Sequence, residues 1–166
     1  SEKRFKLNGL RGNFSVQNAE SLDFEDNYFD CVCSMGVLHH VPNTKKAIKE
    51  IYRVLKPGGK VILMFYHKNS LKYQWNFRLQ SLIYKKTLKQ VAREFDGLNN
   101  PKGDVYTKKE LYNLLKLFTN IDLSLGYLVP SDVIPKSNFW IPANFFKPLE
   151  IFFGWNLYAK GIKPNE

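Results

Sequence analysis

The 166-residue sequence contains no Gly-x-Gly pair, which nucleotide-binding loops commonly use for close approach of the backbone to a ligand. Two cysteines are too few for a disulfide framework or a four-cysteine zinc site. The apolar runs are too short to span a bilayer, and no stretch resembles a secretion signal, so we expect a soluble cytoplasmic protein. Acidic residues are also few, at 15 Asp and Glu against 25 Lys and Arg, and the net charge of +10 favours anionic partners.

Apolar residues are plentiful, at 44% of the chain, and aromatic residues make up 15%. This composition predicts one folded domain with large buried aromatic contacts or a pocket for a flat or greasy molecule. The positive charge is concentrated in residues 68–93, which hold seven Lys or Arg, no Asp or Glu, and several aromatic residues. A solvated helix face with an apolar back is the favoured interpretation, ahead of a binding face.

Cys31 and Cys33 are two residues apart in a predicted strand, so their side chains point to the same face of the sheet. A disulfide between such close neighbours is geometrically unfavourable. We expect both to be small core residues in a reducing compartment.

The first half of the chain predicts a strand–helix–strand unit. Residues 28–35 are apolar enough for a strand buried on both faces, Asn43 or Thr44 can cap the following helix, and residues 60–66 form the next strand. This unit predicts an α/β fold with a right-handed crossover. Before it, we expect a helix over 2–8 that ends at Gly9 and a short strand over 13–18.

The second half predicts a more irregular arrangement. Thr107, with Glu110 three residues later, predicts a capping box and a helix to about residue 118. The other predicted elements are one or two helices over 70–95, a loop over 96–104, a strand over 121–128, an irregular aromatic stretch over 130–148, a short helix over 148–153 and a last strand over 154–162.

Polar or small residues follow three of the predicted strands, at 17–20, 34–40 and 65–67. Open α/β sheets bind ligands beyond the carboxyl ends of their strands. A crevice lined by these segments suits a purine ring, with Gly36 as a small floor. The spacing alone therefore indicates a nucleotide-type cofactor and does not say which one.

Four segments together resemble a class I S-adenosylmethionine-dependent methyltransferase of the type 11-like group. They read Asn-Ala-Glu-Ser-Leu-Asp-Phe at 18–24, Val-Leu-His-His-Val-Pro-Asn at 37–43, Leu-Lys-Pro-Gly-Gly at 55–59, and Gly-Trp with Ala-Lys shortly after at 154–160. The resemblance covers residues 3–66 well and 105–164 more loosely. It implies a Rossmann-like, mostly parallel sheet with an antiparallel last strand.

The resemblance also implies a single incomplete domain, because the family's sheet order is 3-2-1-4-5-7-6 and the first two strands and the glycine-rich loop are absent from this sequence. Its expected parts are a cofactor-side core over 1–67, a helical lid or acceptor insertion over 68–104, and a carboxyl-terminal helix, loop and last strands over 105–166. A missing amino-terminal half is then required for a complete site. Without it, the family's fourth strand, which this sequence retains, would have an unpaired edge.

The implied cofactor is S-adenosylmethionine, and the resemblance implies no metal. The positions that match the family's cofactor contacts are Asn18, Ala19, Glu20, Met35, Gly36, Val37, Leu38 and His39. Asn18 replaces the family's acid, and its amide oxygen can still accept a hydrogen bond. His39 and His67 are the candidate catalytic residues, and Tyr66 and Tyr106 are candidates for the acceptor side.

The predicted function is methyl transfer to a small-molecule acceptor at oxygen, nitrogen or carbon. Acidic and lipid-linked acceptors are both compatible with the basic residues. One alternative is a noncatalytic methyltransferase-like scaffold. Another is a peripheral membrane module that uses the basic helix, for which replacing Lys85, Lys86 and Lys89 by Glu would abolish binding to anionic vesicles. A nicotinamide oxidoreductase is a more distant alternative, and nucleic acid is a poor candidate partner because no recognised binding module accompanies the charge.

Overall fold

The computed structural model describes residues 2–97, 102–134 and 137–165, and it contains a five-stranded sheet. The strands are β1 (Phe29–Met35), β2 (Leu55–His67), β3 (Val105–Tyr106), β4 (Thr119–Gly126) and β5 (Asn156–Ile162). The hydrogen-bonded order is β1-β2-β5-β4, and the short β3 also pairs with β2. This is the order 4-5-7-6 that the second half of the methyltransferase sheet predicts.

Seven α-helices, all short, are present in the described part of the chain. They are α1 (Glu2–Leu7), α2 (Thr44–Val54), α3 (Arg78–Tyr84), α4 (Leu88–Glu94), α5 (Lys108–Leu114), α6 (Pro130–Val133) and α7 (Glu150–Phe153). A π-helix (Lys72–Phe77) leads directly into α3, and 3₁₀ turns occupy Ser137–Phe139 and Ala143–Leu149. Helix α5 ends before the predicted residue 118. None of the described helices has the length and apolar character that crossing a bilayer requires.

The predicted strand–helix–strand unit is confirmed. Strands β1 and β2 run parallel, with Val32 beside Val61, and α2 forms the crossover between them. The side chain of Asn43 caps α2 by accepting a hydrogen bond from the Lys46 N–H at 3.0 Å. The apolar positions of α2 are buried against the sheet, as the helical spacing predicts.

The last strand is antiparallel, as predicted. Strand β5 lies between β2 and β4, and its Ala159 is beside Leu63 on one side and Leu123 on the other. The remaining four strands share one direction. The sheet is therefore open, mostly parallel and Rossmann-like, with one reversed strand.

The prediction of a strand over 13–18 is wrong. The residues are exposed, and the pairing described there is an isolated bridge between Asn18 and Ser21. A strand needs the backbone groups of a neighbouring strand, and in the described residues none adjoins this segment. The predicted loop over 96–104 and irregular stretch over 130–148 fall partly on residues 98–101 and 135–136, which lie outside the described residues.

One face of the sheet is covered by helices, and the other is open where it carries Cys31 and Cys33. On β2, Val61, Leu63 and Phe65 point to the covered face, where α2 and α5 enclose a continuous apolar core. Cys31 and Cys33 of β1 point to the other face and are exposed. The prediction that they are core residues, and that β1 is buried on both faces, is therefore wrong, because the helices that reach this face pack at Tyr66 near the carboxyl end of β2 and leave both cysteines exposed.

Candidate functional site

The carboxyl end of β1 turns sharply at Gly36. This glycine has a positive φ of 74°, and a Cβ atom there would lie 3.2 Å from the terminal methyl of Met64. Few residues other than glycine adopt this conformation without strain. The neighbouring side chains of Met35 and Val37 are exposed, so the predicted small floor lies at the surface beside two apolar groups.

His39 is fully buried in the loop that follows β1. Its ring centroid lies 4.1 Å from that of His40 and 4.1 Å from that of Tyr66. Neither ring nitrogen has a hydrogen-bond partner within the described residues. Burial, with a smaller contribution from the positive charge of His40, lowers the pKa of His39 to about 3. The imidazole is therefore neutral near pH 7 and has an uncommitted nitrogen lone pair.

His40, Tyr66 and Asp96 form a hydrogen-bonded network beside His39. The Nδ1 atom of His40 lies 2.7 Å from the carbonyl oxygen of Lys102, which can only accept, so Nδ1 carries a proton. The Nε2 atom lies 3.4 Å from one oxygen of Asp96, and the Tyr66 hydroxyl donates to the other at 2.8 Å. Burial and this carboxylate raise the pKa of Tyr66, which keeps the phenol protonated.

Asp96 is the site residue that the sequence reasoning missed. It lies in a loop without a recognisable motif, 30 positions from Tyr66. Together, His39, His40 and Asp96 offer three ligand atoms within 4.8 Å of one another, which could hold a metal ion. Imidazole nitrogens with a carboxylate suit zinc or another transition metal. The resemblance implied no metal, and that expectation stays a prediction.

The two predicted cofactor segments meet at the start of α2. The carboxylate of Glu20 accepts a hydrogen bond from the Asn43 N–H at 2.7 Å, and the Thr44 hydroxyl donates to the Leu38 carbonyl at 3.3 Å. The amide oxygen of Asn18 accepts from the Glu20 N–H at 2.9 Å. Ala19 packs against the main apolar core. The structure therefore brings the turn at 18–20 and the loop at 36–39 to the same edge of the sheet.

His67, the second catalytic candidate, is buried at the end of β2. Its Nδ1 atom lies 3.3 Å from the Gly154 carbonyl oxygen. Burial lowers the pKa of His67, and the Gly154 carbonyl partly opposes that shift. His67 lines a cavity of about 370 Å³ with residues that include Thr107, Lys108 and Phe152. It therefore takes no part in the network around Asp96.

Tyr106, the second acceptor-side candidate, lies on β3 with its hydroxyl 3.3 Å from both the Thr44 hydroxyl and an Asp104 carboxylate oxygen. Burial is the main reason that the pKa of Tyr106 rises to about 12. Its ring contacts Phe65 edge-on at 5.1 Å. Tyr106 is therefore a protonated packing residue beside the start of α2, and its role toward an acceptor stays a prediction.

The helices over 72–94 are attached to the site through aromatic stacking. Trp155 stacks on Tyr66 with ring centroids 4.3 Å apart, and Phe77 meets Trp155 edge-on at 5.4 Å. A second cavity, of about 270 Å³, lies between α4 and the loop that contacts His40. Its lining residues are Lys89, Gln90, Arg93, Lys102, Gly103 and Asp104. This cavity is predominantly basic.

Comparison with known proteins shows what the chain is similar to. Residues 1–63 match the family model described as a methyltransferase domain. The chain is 38% identical over 133 residues to phosphoethanolamine N-methyltransferase 2 of Caenorhabditis elegans, an alignment that covers 78% of this chain and 29% of that protein. It is 42% identical over 72 residues to a ubiquinone/menaquinone biosynthesis C-methyltransferase of Yersinia enterocolitica, covering 42% of this chain and 29% of the relative. The chain thus spans less than a third of either relative.

Solved structures show the same fold at low sequence identity. A SAM-dependent methyltransferase of Thermotoga maritima, described as a possible histamine N-methyltransferase, has a TM-score of 0.62 and 20% identity over 98% of this chain and 70% of its own. A SAM-dependent methyltransferase of Methanosarcina mazei has a TM-score of 0.60 and 23% identity over 94% of this chain and 69% of its own. The chain therefore has a class I methyltransferase-like fold, and the domain family that its residues 1–63 match is of a kind whose cofactor is S-adenosylmethionine.

Proposed function

We propose that this chain supports S-adenosylmethionine-dependent methyl transfer to a small-molecule acceptor at the carboxyl edge of β1 and β2. The observation that carries the proposal is the meeting of the turn at 18–20 with the loop at 36–39, because both are anchored at the start of α2. These segments lie within the residues that match the methyltransferase domain family.

The residues present suit one part of the cofactor. Asn18, Ala19 and Glu20 would hold its adenine edge, and the glycine turn at Gly36 leaves room where a Cβ atom would meet Met64. When bound, S-adenosylmethionine supplies a methyl group on a positively charged sulfur. The sequence contains no Gly-x-Gly loop for the methionine end, so these residues account for the adenine side alone.

The chain's own side chains would orient the acceptor. The neutral ring of His39 can accept a hydrogen bond from the acceptor. Because burial disfavours its protonated form, His39 is better suited to orient the acceptor than to act as a general base. The adjacent His40 and Asp96, with Nε2 and a carboxylate oxygen 3.4 Å apart, would line the acceptor's position beside His39. Tyr66 keeps its proton and holds Asp96 in place.

The acceptor that we propose is an anionic amine. The alignment with the phosphoethanolamine N-methyltransferase extends beyond the residues that match the domain family, into the lid and the acceptor-side segments. The basic cavity beside His40, with Lys89, Arg93 and Lys102, supports a negatively charged group on the acceptor. Methyl transfer to carbon, as the name of the second relative describes, rests on an alignment that covers 42% of the chain.

Calorimetric titration with S-adenosylhomocysteine tests the cofactor part of the proposal. We expect a chimera that adds the glycine-rich half of a related methyltransferase to bind it, and Gly36→Val to weaken that binding by about tenfold or more, which corresponds to about 1.4 kcal/mol. Lys116→Ala, an exposed change on the far side of the core, is the matched control and should bind normally. No binding by either the chain or the chimera would favour the noncatalytic scaffold.

The acceptor part is tested separately, by methyl transfer from labelled S-adenosylmethionine. We expect the chimera to methylate phosphoethanolamine and Arg93→Gln to raise the apparent KM for it while the affinity for S-adenosylhomocysteine stays unchanged. Binding of the cofactor without methylation of any amine would retain the domain assignment and remove the anionic amine from the proposal.

A further inference from the structure

The helical run that comprises the π-helix and α3 presents apolar side chains to solvent. The exposed fractions are 59% for Trp75, 37% for Leu79, 80% for Leu82 and 62% for Ile83. These positions are spaced by four, three and one residues, so they share one face of the helix. Helix α3 has no buried residue. This helix therefore exposes an apolar stripe to solvent, whereas a surface helix usually turns its apolar face toward the core.

Basic residues accompany this stripe on the same helix. Arg78 and the C-cap residue Lys85 are exposed, and residues 68–93 contain seven Lys or Arg and no Asp or Glu. Tyr84 is also exposed at the carboxyl end of α3. The surface therefore combines an apolar stripe, aromatic residues near its two ends and positive charge.

The inner face of the same run is fixed to the domain. Phe77 is buried against Trp155, and the Asn76 amide donates to the Ser131 carbonyl at 2.9 Å. Lys72 forms a buried ion pair with Asp132, with Nζ and the carboxylate oxygen 2.9 Å apart. Because these contacts already occupy the inner face, the helix cannot rotate to bury its outer stripe without breaking them.

We propose that this outer stripe binds the surface of an anionic lipid bilayer. The apolar side chains would enter the boundary between headgroups and acyl chains, and Arg78 and Lys85 would contact anionic headgroups. The charge favours this occupant over a second copy of the chain, because two copies of the same basic face repel each other. Such docking places the lid of the methyltransferase-like domain at the membrane surface.

Sedimentation with large unilamellar vesicles tests the proposal on the whole chain, without cofactor or acceptor, so its outcome does not depend on methyl transfer. We expect binding to vesicles that contain phosphatidylserine, weaker binding in high salt, and little binding to pure phosphatidylcholine. Equal binding to both compositions, or binding to neither, would overturn the proposal.

Two variants and a matched control locate the surface. Arg78 and Lys85 replaced together by Glu should lower the partition coefficient by about 30-fold or more, because each basic residue near an anionic surface contributes about 1 kcal/mol. The control replaces Lys45 and Lys49 of α2 by Glu, which changes the net charge equally on a different exposed face. An equal loss in the control would show that net charge alone drives binding and would overturn the proposal.

The apolar stripe is tested by Leu82→Glu with Ile83→Glu, which should abolish binding even at low salt. Both side chains are exposed, so the variant should fold, and its circular dichroism should match that of the wild type. Light scattering of the wild type at several concentrations tests whether the stripe instead binds a second copy of the chain. A concentration-dependent dimer that this variant abolishes would assign the stripe to a second copy and overturn membrane binding.

Discussion

The two faces of the sheet differ in a way that the composition of β2 does not reveal. Val61 and Leu63 are buried beneath α2, whereas Ile62 between them is partly exposed and Lys60 is exposed. The strand is apolar on both sides. The helices that pack against it, and not its residues alone, decide which face becomes a core and which stays accessible.

The largest effect is expected when Leu63→Ala, on the covered face, is compared with Ile62→Ala, on the other face. We expect the first to lower the free energy of unfolding by about 3 kcal/mol, because it leaves a cavity in the covered core, and the second by about 1 kcal/mol or less. Urea unfolding followed by circular dichroism measures both. Equal losses would show that the open face is also covered in solution, and repeating the measurement at several protein concentrations would detect self-association.

His39 is as completely buried as Leu63, and its burial gives a pH dependence. Burial lowers the pKa of His39 to about 3, whereas the unfolded side chain titrates near 6.5. As the pH falls below about 6.5 the unfolded chain binds a proton that the folded chain does not, so the unfolded state is favoured. From pH 7 to about pH 5 this costs about 2 kcal/mol of stability.

Urea unfolding at several pH values measures that effect. His39→Gln should flatten the dependence, while His67, whose pKa is also lowered by burial, should leave a smaller slope of the same sign. An unchanged slope in the variant would mean that His39 is open to water in the folded protein.

A smaller effect, on hydrogen exchange, is expected in the loop over residues 22–28, which Arg53 of α2 contacts. The Arg53 guanidinium donates hydrogen bonds to the carbonyl oxygens of Phe24 at 2.7 Å and Leu22 at 2.8 Å, and it also contacts two carboxylates. Arg53→Lys cannot supply these contacts together, so amide hydrogen exchange over 22–28 should become roughly fivefold faster. Lys49→Arg, on an exposed turn of α2, is the matched control and should leave the exchange unchanged.

The smallest effect is expected on the open face. Cys33→Ser should change the free energy of unfolding by no more than about 0.5 kcal/mol, because the side chain is exposed. A thiol reagent should modify Cys31 and Cys33 of the native protein at the rate of small model thiols. Slow modification that accelerates in urea would place both cysteines in a core after all.

Local patterns predicted the parts of the fold that depend on local physics. The apolar spacing and the cap at Asn43 predicted α2, and Thr107 with Glu110 predicted the start of α5, where both capping hydrogen bonds are present. The antiparallel last strand was predicted from the family resemblance. Its central position between β2 and β4 also agrees with the order that the resemblance implies.

The wrong predictions concern contacts with distant parts of the chain. Alternating residues over 13–18 resemble a strand, but a strand forms only beside another strand. The spacing of Cys31 and Cys33 shows that they share a face and cannot show which face is covered. Asp96 was missed because its role arises from contacts with His40 and Tyr66, which no local pattern encodes.

The position of β5 has a consequence for the order in which the protein is made. Strand β4 pairs with β5 and reaches β2 through it, although β5 follows every other strand along the chain. Since a ribosome releases the amino-terminal residues first, β2 and β4 wait without their shared partner until residues 156–162 emerge. A nascent chain at that stage carries two unpaired apolar strand edges, which are the kind of edge that pairs with other chains.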